Sequence, residues 1–403
     1  MVPLRSLGLS EKRISTVPAI LTQGFRPFFL AAAVWAIAAM AQWLWVLSGG
    51  PAPPSVFGSL LWHAHEMLFG FIVAAIAGFL LTAIPNWTGR LPVRGWSLGL
   101  LFGLWVAGRV AVAISDIIGA APAAVVDLSF LVAFGIIVLR EIAAGRNWRN
   151  LPMVGVIAVL AVSNLLVHLE FVGGVGDANL GLRLGIGTVA FLVTLVGGRI
   201  VPSFTRNWLQ KQSAPRLPAP LGWPDRIALV ATAAAGLMWT AAPEARATGV
   251  VAVVAALALA VRLARWCGHL TLREPLLWIL HLGYAWLVVG FALLGLSLWF
   301  AVLPVIAAFH ALTAGAMGTM ILAVTTRATL GHTGQSLTAG PGTTAAYVLV
   351  TVAAVLRVVA GIAPGAGEEL TILAGLSWMA AFALFVVLYG PLLLNSRRRA
   401  AER

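Results

Sequence analysis

Cysteine and charged side chains are scarce in this 403-residue chain. Its single cysteine, Cys267, excludes an intramolecular disulfide and a zinc or iron–sulfur centre held by thiolates. Charged residues make up 10% of the chain and hydrophobic residues 61%, a balance that excludes an ordinary soluble domain. Metal chemistry in this protein would therefore depend on its seven histidines and its few carboxylates.

The abundant hydrophobic residues form long runs bounded by Gly, Pro or Arg, and a run of roughly 20 crosses a bilayer. This pattern predicts an all-α polytopic membrane protein with twelve transmembrane helices. Because no loop is long enough for a soluble domain, we expect residues 1–403 to form a single integral membrane domain, with cytoplasmic tails at 1–26 and 394–403. The predicted spans are 27–48, 57–84, 97–114, 119–142, 151–173, 181–202, 225–242, 246–266, 275–298, 302–326, 342–362 and 370–393.

The net charge of +13 follows the predicted topology. Arg183 and Arg246 are the only basic residues in the odd-numbered loops, and Arg109 and Arg357 lie within spans. All other lysines and arginines fall in the even-numbered loops, in the tails or at the span ends next to them, which is the positive-inside pattern. We therefore expect both termini in the cytoplasm and no binding of nucleic acid.

Spans 2, 6 and 10 align with one another without gaps, at offsets of 117 and 128 residues. Gly70, Gly187 and Gly315 then coincide, and His65 falls on His310. This alignment predicts a pseudo-threefold repeat of four helices, with spans 2, 6 and 10 inside the bundle. Chance matches among glycine-rich apolar segments are the alternative explanation.

Span 2 contains His63, His65 and Glu66, and ionisable groups inside a membrane usually mark a functional site. His65 and His310 lie at similar depth, roughly 12 Å from the outer surface. We therefore predict that they bind a planar cofactor as an axial pair, a low-spin haem b, since the chain has no CxxCH motif for covalent attachment. The alternative is a histidine that only forms hydrogen bonds between helices.

His63 and His65 point to opposite sides of a regular helix, because residues two apart are turned by about 200°. Glu66 lies on the side of His63. These two residues predict a mixed nitrogen and oxygen site for copper or non-haem iron. Glu66 is also the candidate catalytic residue, because a buried carboxyl group can exchange protons.

Five segments of this chain resemble the NnrS family. They are residues 24–30 (GFRPFFL), 63–70 (HAHEMLFG), 197–209 (GGRIVPSFTRNWL), 281–287 (HLGYAWL) and 326–334 (TRATLGHTG). The resemblance runs from about residue 20 to 390. It implies a twelve-helix protein of the bacterial inner membrane that contains haem and copper. It also implies a role in the nitric oxide response, denitrification and protection from nitrosative stress.

The predicted architecture also resembles the catalytic subunit of haem–copper oxidases and nitric oxide reductases. Spans 6 and 7 contain no histidine, although these helices supply copper ligands in those enzymes. A copied binuclear centre is therefore not expected. His281 and His332 could instead meet near the inner surface as a second haem or metal site, whereas His168 and His269 are expected to be interfacial.

Four arginines are candidates for binding the carboxylates of a cofactor, because a guanidinium pairs with carboxylates in a bidentate manner. They are Arg109, Arg199, Arg327 and Arg357. For Arg199 and Arg327, anchoring at the cytoplasmic surface is the alternative. Arg109 and Arg357 lie within spans, so one of them is expected to pair with Asp127 in span 4.

Two functions remain open from the sequence. The first is a haem protein that reduces, senses or scavenges nitric oxide, and the sequence does not separate these activities. The second is a polytopic secondary transporter, which twelve helices, internal repeats and intramembrane charges also fit.

Overall fold

The structure is a computed structural model that describes residues 17–300, 303–363 and 365–395. Within these ranges all regular structure is helical. Residues 1–16 and 396–403, which hold most of both predicted tails, lie outside the described residues.

In the described part of the chain, twelve long helices follow one another through short connections, and eleven of them are long and apolar enough to cross a membrane. The exception is α7, whose first turn carries Asp225 and Arg226. The multi-pass membrane fold is thus confirmed, and the twelfth span stays a prediction. The helices are α1 (Phe25–Leu47), α2 (Gly58–Thr88), α3 (Trp96–Ala113), α4 (Ala120–Ala144), α5 (Pro152–Gly173), α6 (Ala178–Lys211), α7 (Trp223–Ala241), α8 (Arg246–Ala264), α9 (Pro275–Ser297), α10 (Val305–Thr333), α11 (Pro341–Ile362) and α12 (Gly367–Leu394).

Several helix ends follow directly from local sequence. Pro152, Pro275 and Pro341 occupy the first turns of α5, α9 and α11, where a missing N–H costs no hydrogen bond. Gly89 and Gly334 adopt left-handed backbone conformations immediately after α2 and α10. Glycine takes this conformation without the steric penalty of a Cβ, so it ends both helices.

Helices α2, α6 and α10 lie inside the bundle and together line an apolar cavity of about 80 Å³. The apolar stretch of α2 is 78% buried, against 22% for α1. The predicted inner position of α2, α6 and α10 is therefore confirmed. A full threefold repeat stays a prediction.

Two of the inner helices share a local irregularity. The segment Glu66–Ile72 of α2 and the segment Ala311–Gly318 of α10 are π-helical. Each begins directly after a histidine, His65 in α2 and His310 in α10. Such π segments are rare and occur frequently at functional sites.

The glycines that align in these two segments have the same structural role. A Cβ on Gly70 would lie 2.5 Å from the Trp35 indole, and a Cβ on Gly315 would lie 2.6 Å from the Trp286 indole. Each glycine therefore allows a tryptophan of the preceding helix to pack against the π segment.

The first and last long helices are neighbours, and Arg26 joins them. Its Nη1 donates hydrogen bonds to the backbone carbonyls of Leu392, Leu393 and Asn395, at 3.0, 2.9 and 3.0 Å. The last carbonyls of a helix have no partner within it. The guanidinium of Arg26 therefore caps the end of α12 from the first turn of α1.

Candidate metal and cofactor sites

Polar side chains from four helices meet in one cluster, which we call the buried cluster. Every member is at most 3% exposed. Its members are His65 and Glu66 of α2, Arg109 of α3, Asp127 of α4, and Asn164 and His168 of α5. Polar groups withdrawn from water this completely need partners, because an unpaired one costs about 1–3 kcal/mol.

Arg109 joins the two carboxylates of the buried cluster. Its Nη1 donates to Glu66 Oε1 at 2.8 Å, and its Nη2 donates to Asp127 Oδ1. The predicted pairing of a span arginine with Asp127 is therefore confirmed for Arg109. Gly108 makes this contact possible, because a Cβ there would lie 2.7 Å from Asp127 Oδ1. Glu66 also accepts a hydrogen bond from the indole N–H of Trp35, at 2.8 Å.

The histidines occupy the other side of Asp127. His65 Nε2 lies 2.8 Å from Asn164 Oδ1 and 3.3 Å from Asp127 Oδ2. His168 Nε2 lies 3.0 Å from Asp127 Oδ2, and Asn164 Nδ2 donates to the same oxygen at 2.7 Å. His65 Nδ1 lies 3.1 Å from Glu66 Oε1. Both nitrogens of His65 therefore face acceptor oxygens.

This arrangement fits a metal ion. His65, Asp127 and His168 each offer a ligand atom, and these atoms lie within 4.8 Å of one another. Two imidazoles and one carboxylate form the ligand set of many non-haem iron sites. Two carboxylates and one guanidinium also leave one negative charge when both histidines are neutral. A bound cation or a proton on His65 would balance that charge.

A second pair of histidines lies on the opposite side of α2. His63 and His310 interact electrostatically with each other and with Arg357 of α11. His63 is stacked on Trp43, with ring centroids 4.7 Å apart and planes at 20°. His310 Nδ1 donates to the carbonyl of Ile306 at 2.9 Å, which leaves the lone pair of Nε2 for another partner.

These three residues share one level of the bundle. His63, His310 and Arg357 each lie five residues, or about 8 Å, from the nearer end of their helix. The start of α10 packs against the end of α11, where Gly361 lies beside Ala307. The three side chains therefore gather near one face of the bundle.

Their donor set fits a haem held by two histidines. Within the described residues, His63 Nδ1 is buried without a hydrogen bond, and Arg357 has no ion pair or hydrogen bond. A guanidinium without a protein partner inside a membrane suits an anionic group such as a haem propionate. His310 already has the backbone hydrogen bond that commonly orients a metal-binding imidazole.

The structure changes the pairing expected from the sequence. His310 was expected to meet His65, and Glu66 to lie with His63. Instead His65 faces α4 and α5 in the buried cluster, so His63, turned about 200° away, faces α10. Glu66 follows His65 towards Arg109. His63 and His65 face opposite sides of α2, as predicted. The residues predicted to meet each of these sides were wrong.

The residues expected to gather at the inner surface are apart in the described part of the chain. His281 Nε2 lies 2.9 Å from Thr205 Oγ1, whereas the His332 ring lies 5.4 Å from the ring of Phe25. The guanidinium of Arg327 stacks on Phe204 at 4.1 Å. Arg199 is exposed. His281 and His332 therefore have different neighbours, and a metal centre that they share stays a prediction.

Sequence reasoning missed two members of the buried cluster. His168 was expected at the interface but is 2% exposed, and Asn164 was not considered. A signal was available, since residues four apart share one face of a helix. Asn164 and His168 thus form a polar face on the otherwise apolar α5, at a level that Asp127 also reaches.

Comparison with known proteins identifies one family. A family model described as NnrS protein matches residues 19–397. The chain belongs to the NnrS family. Membership connects it with the nitric oxide response. A search among curated proteins gives no match. The HAHEMLFG segment of this NnrS-family chain supplies one histidine to each of the two groups described above.

Proposed function

We propose that this NnrS-family protein is a haem- and metal-containing protein of a bacterial inner membrane that handles nitric oxide, with both termini cytoplasmic. One observation carries the proposal. Two separate histidine groups flank α2, and each lacks something that a cofactor would supply. Among the described residues, His63 Nδ1 and the Arg357 guanidinium have no hydrogen-bond partner, and the buried cluster keeps one uncompensated negative charge when both of its histidines are neutral.

The haem would be b-type and would lie between His63 and His310, with Arg357 binding a propionate. The stack of Trp43 on His63 restricts rotation of that imidazole. The hydrogen bond from His310 Nδ1 to Ile306 places the proton on Nδ1 and leaves Nε2 to face the iron.

The second metal, copper or non-haem iron, would be bound by His65, His168 and Asp127. Arg109 would orient Asp127 through Oδ1, and Asn164 would orient it through Oδ2, the oxygen that faces the two histidines. Glu66 accepts hydrogen bonds from Trp35 and Arg109 and orients His65, so its place is beside the metal ligands. Haem would supply an electron-carrying iron, and a metal with three protein ligands would keep positions open for nitric oxide.

A secondary transporter is the second candidate. The π segments interrupt α2 and α10 at matched positions, and transporters often place interrupted helices around their substrate. A transporter would not require bound haem, so the content of the purified protein separates the two functions.

The test is an absorption spectrum and a metal analysis of detergent-purified protein from haem-replete cells. We expect a Soret band that His63→Ala and His310→Ala remove. His332→Ala is the matched control and should leave the band unchanged. His168→Ala should keep the haem and lose the second metal. Size-exclusion profiles establish that each variant is folded.

Other results would refute specific parts of the proposal. Wild-type protein without a Soret band would favour the transporter. Haem lost from folded His168→Ala but retained by His63→Ala would mean that the two sites are assigned the wrong way round. Haem retained with no second metal in the wild type would make the buried cluster a structural network.

A further inference from the structure

A pocket of about 510 Å³ lies where α8 ends and α9 begins, and its lining includes no residue of either proposed site. Its volume falls within the roughly 300–1,000 Å³ typical of small-molecule sites. The lining is mainly apolar and includes Leu263, Gly268, His269, Trp278, His281 and Leu282.

His281 is the polar group that the pocket leaves unsatisfied. Its side chain is 8% exposed, and Nε2 lies 2.9 Å from Thr205 Oγ1. Nδ1 is buried and has no hydrogen bond among the described residues. A buried nitrogen without a partner costs about 1–3 kcal/mol, which a ligand in the pocket would recover.

Gly268 packs against the face of this imidazole ring. A Cβ at Gly268 would lie 2.7 Å from His281 Nδ1, closer than real atoms approach. Both residues line the pocket. The glycine therefore borders the unpartnered nitrogen without supplying a group that could satisfy it.

The lining indicates which ligand class fits. Among the described residues, no Lys, Arg, Asp or Glu lines the pocket, and its polar side chains are those of His269, Trp278 and His281, so a phosphate or carboxylate would find no guanidinium or ammonium group. Trp278 offers an aromatic surface, and Leu272, which is 72% exposed, adds an apolar side chain at the molecular surface. These features suit an uncharged aromatic ring that carries a hydrogen-bonding oxygen and an apolar tail.

We propose that this pocket binds the head group of a membrane quinone or quinol, with His281 Nδ1 as its hydrogen-bonding partner. The hydroxyl of Thr205 can donate to Nε2 or accept from it. Nδ1 therefore presents an N–H to a quinone carbonyl in one tautomer and a lone pair to a quinol hydroxyl in the other. One site thus serves both oxidation states of the ring.

The experiment uses the full chain in detergent and an azido-substituted short-chain ubiquinone as photoaffinity probe. We expect labelled peptides within residues 263–285, with labelling suppressed by decylubiquinone. Loss of one hydrogen bond in His281→Leu should weaken probe binding roughly three- to tenfold. Leu282→Trp, which fills the pocket without touching the hydrogen bond, should also abolish labelling. His332→Leu is the matched control and should label as the wild type does.

Several outcomes would overturn the proposal. Labelling outside residues 263–285, or equal labelling of wild type and folded His281→Leu, would exclude the pocket as a quinone site. Suppression by phosphatidylglycerol but not by decylubiquinone would show a lipid site instead. If His281→Leu does not fold, Leu282→Trp decides, and its full labelling would equally exclude the pocket.

Discussion

Replacing Arg109 by leucine should destabilise this protein more than replacing an arginine in a membrane-spanning helix that has no ion pair. Arg109 is 3% exposed and pairs with both Glu66 and Asp127. Its loss would leave two carboxylates in a region without water. Removing one partner of a buried ion pair typically costs about 3–5 kcal/mol. We expect Arg109→Leu to lose at least that much of its free energy of unfolding.

Arg199→Leu is the matched control, because Arg199 also lies in a long helix, α6, but is exposed and has no ion pair among the described residues. It should change stability by less than about 1 kcal/mol. The measurement is the midpoint of thermal loss of the monodisperse peak, by fluorescence-detected size-exclusion chromatography in detergent. Both variants are compared in the same detergent and salt.

A double variant tests the stated cause. Arg109→Leu combined with Asp127→Asn leaves one unpaired carboxylate instead of two, so it should be more stable than Arg109→Leu alone. Neighbouring residues in one network are expected to be non-additive in this way. The reasoning fails if Arg109→Leu melts no lower than Arg199→Leu, or if the second substitution lowers the midpoint further.

Three further predictions follow from single contacts. Gly198→Ala should cost about 1–3 kcal/mol, because its Cβ would lie 2.0 Å from Arg262 Nη2, whereas Gly155→Ala, with open space around it, should be neutral by the same melting assay. Glu66→Gln should fold and retain haem but lower nitric oxide tolerance in cells lacking other detoxifying systems; full tolerance at wild-type protein levels would make Glu66 purely structural. Arg26→Gln should free the end of α12, detected as faster carboxypeptidase digestion, and unchanged digestion would contradict the capping role.

The sequence predicted the helices well because membrane insertion depends on local composition. A run of about 20 apolar residues needs no distant partner to form a helix, since all its backbone hydrogen bonds are internal. The depth of His63, His65 and His310 followed from the same local count. The inner position of α2, α6 and α10 was also predictable, because glycines marked the faces of close packing.

The partners of those histidines were not predictable in the same way. Which side of α2 faces α10 depends on the rotation of each helix in the bundle, and that rotation is set by contacts far apart in sequence. Asp127 and His168 lie 62 and 103 residues beyond His65 in the chain. Periodicity correctly placed His63 and His65 on opposite faces, but it carried no information about what each face would meet.

The contact between Arg26 and the end of α12 has a consequence for the order of assembly. During translation α1 enters the membrane first and α12 last, so the guanidinium of Arg26 waits for its carbonyl partners until the whole bundle has been synthesised. Until then the guanidinium in the first turn of α1 lacks the three carbonyl oxygens that accept its hydrogen bonds. A nascent chain that does not yet include α12 therefore lacks the hydrogen bonds that join the first and last helices.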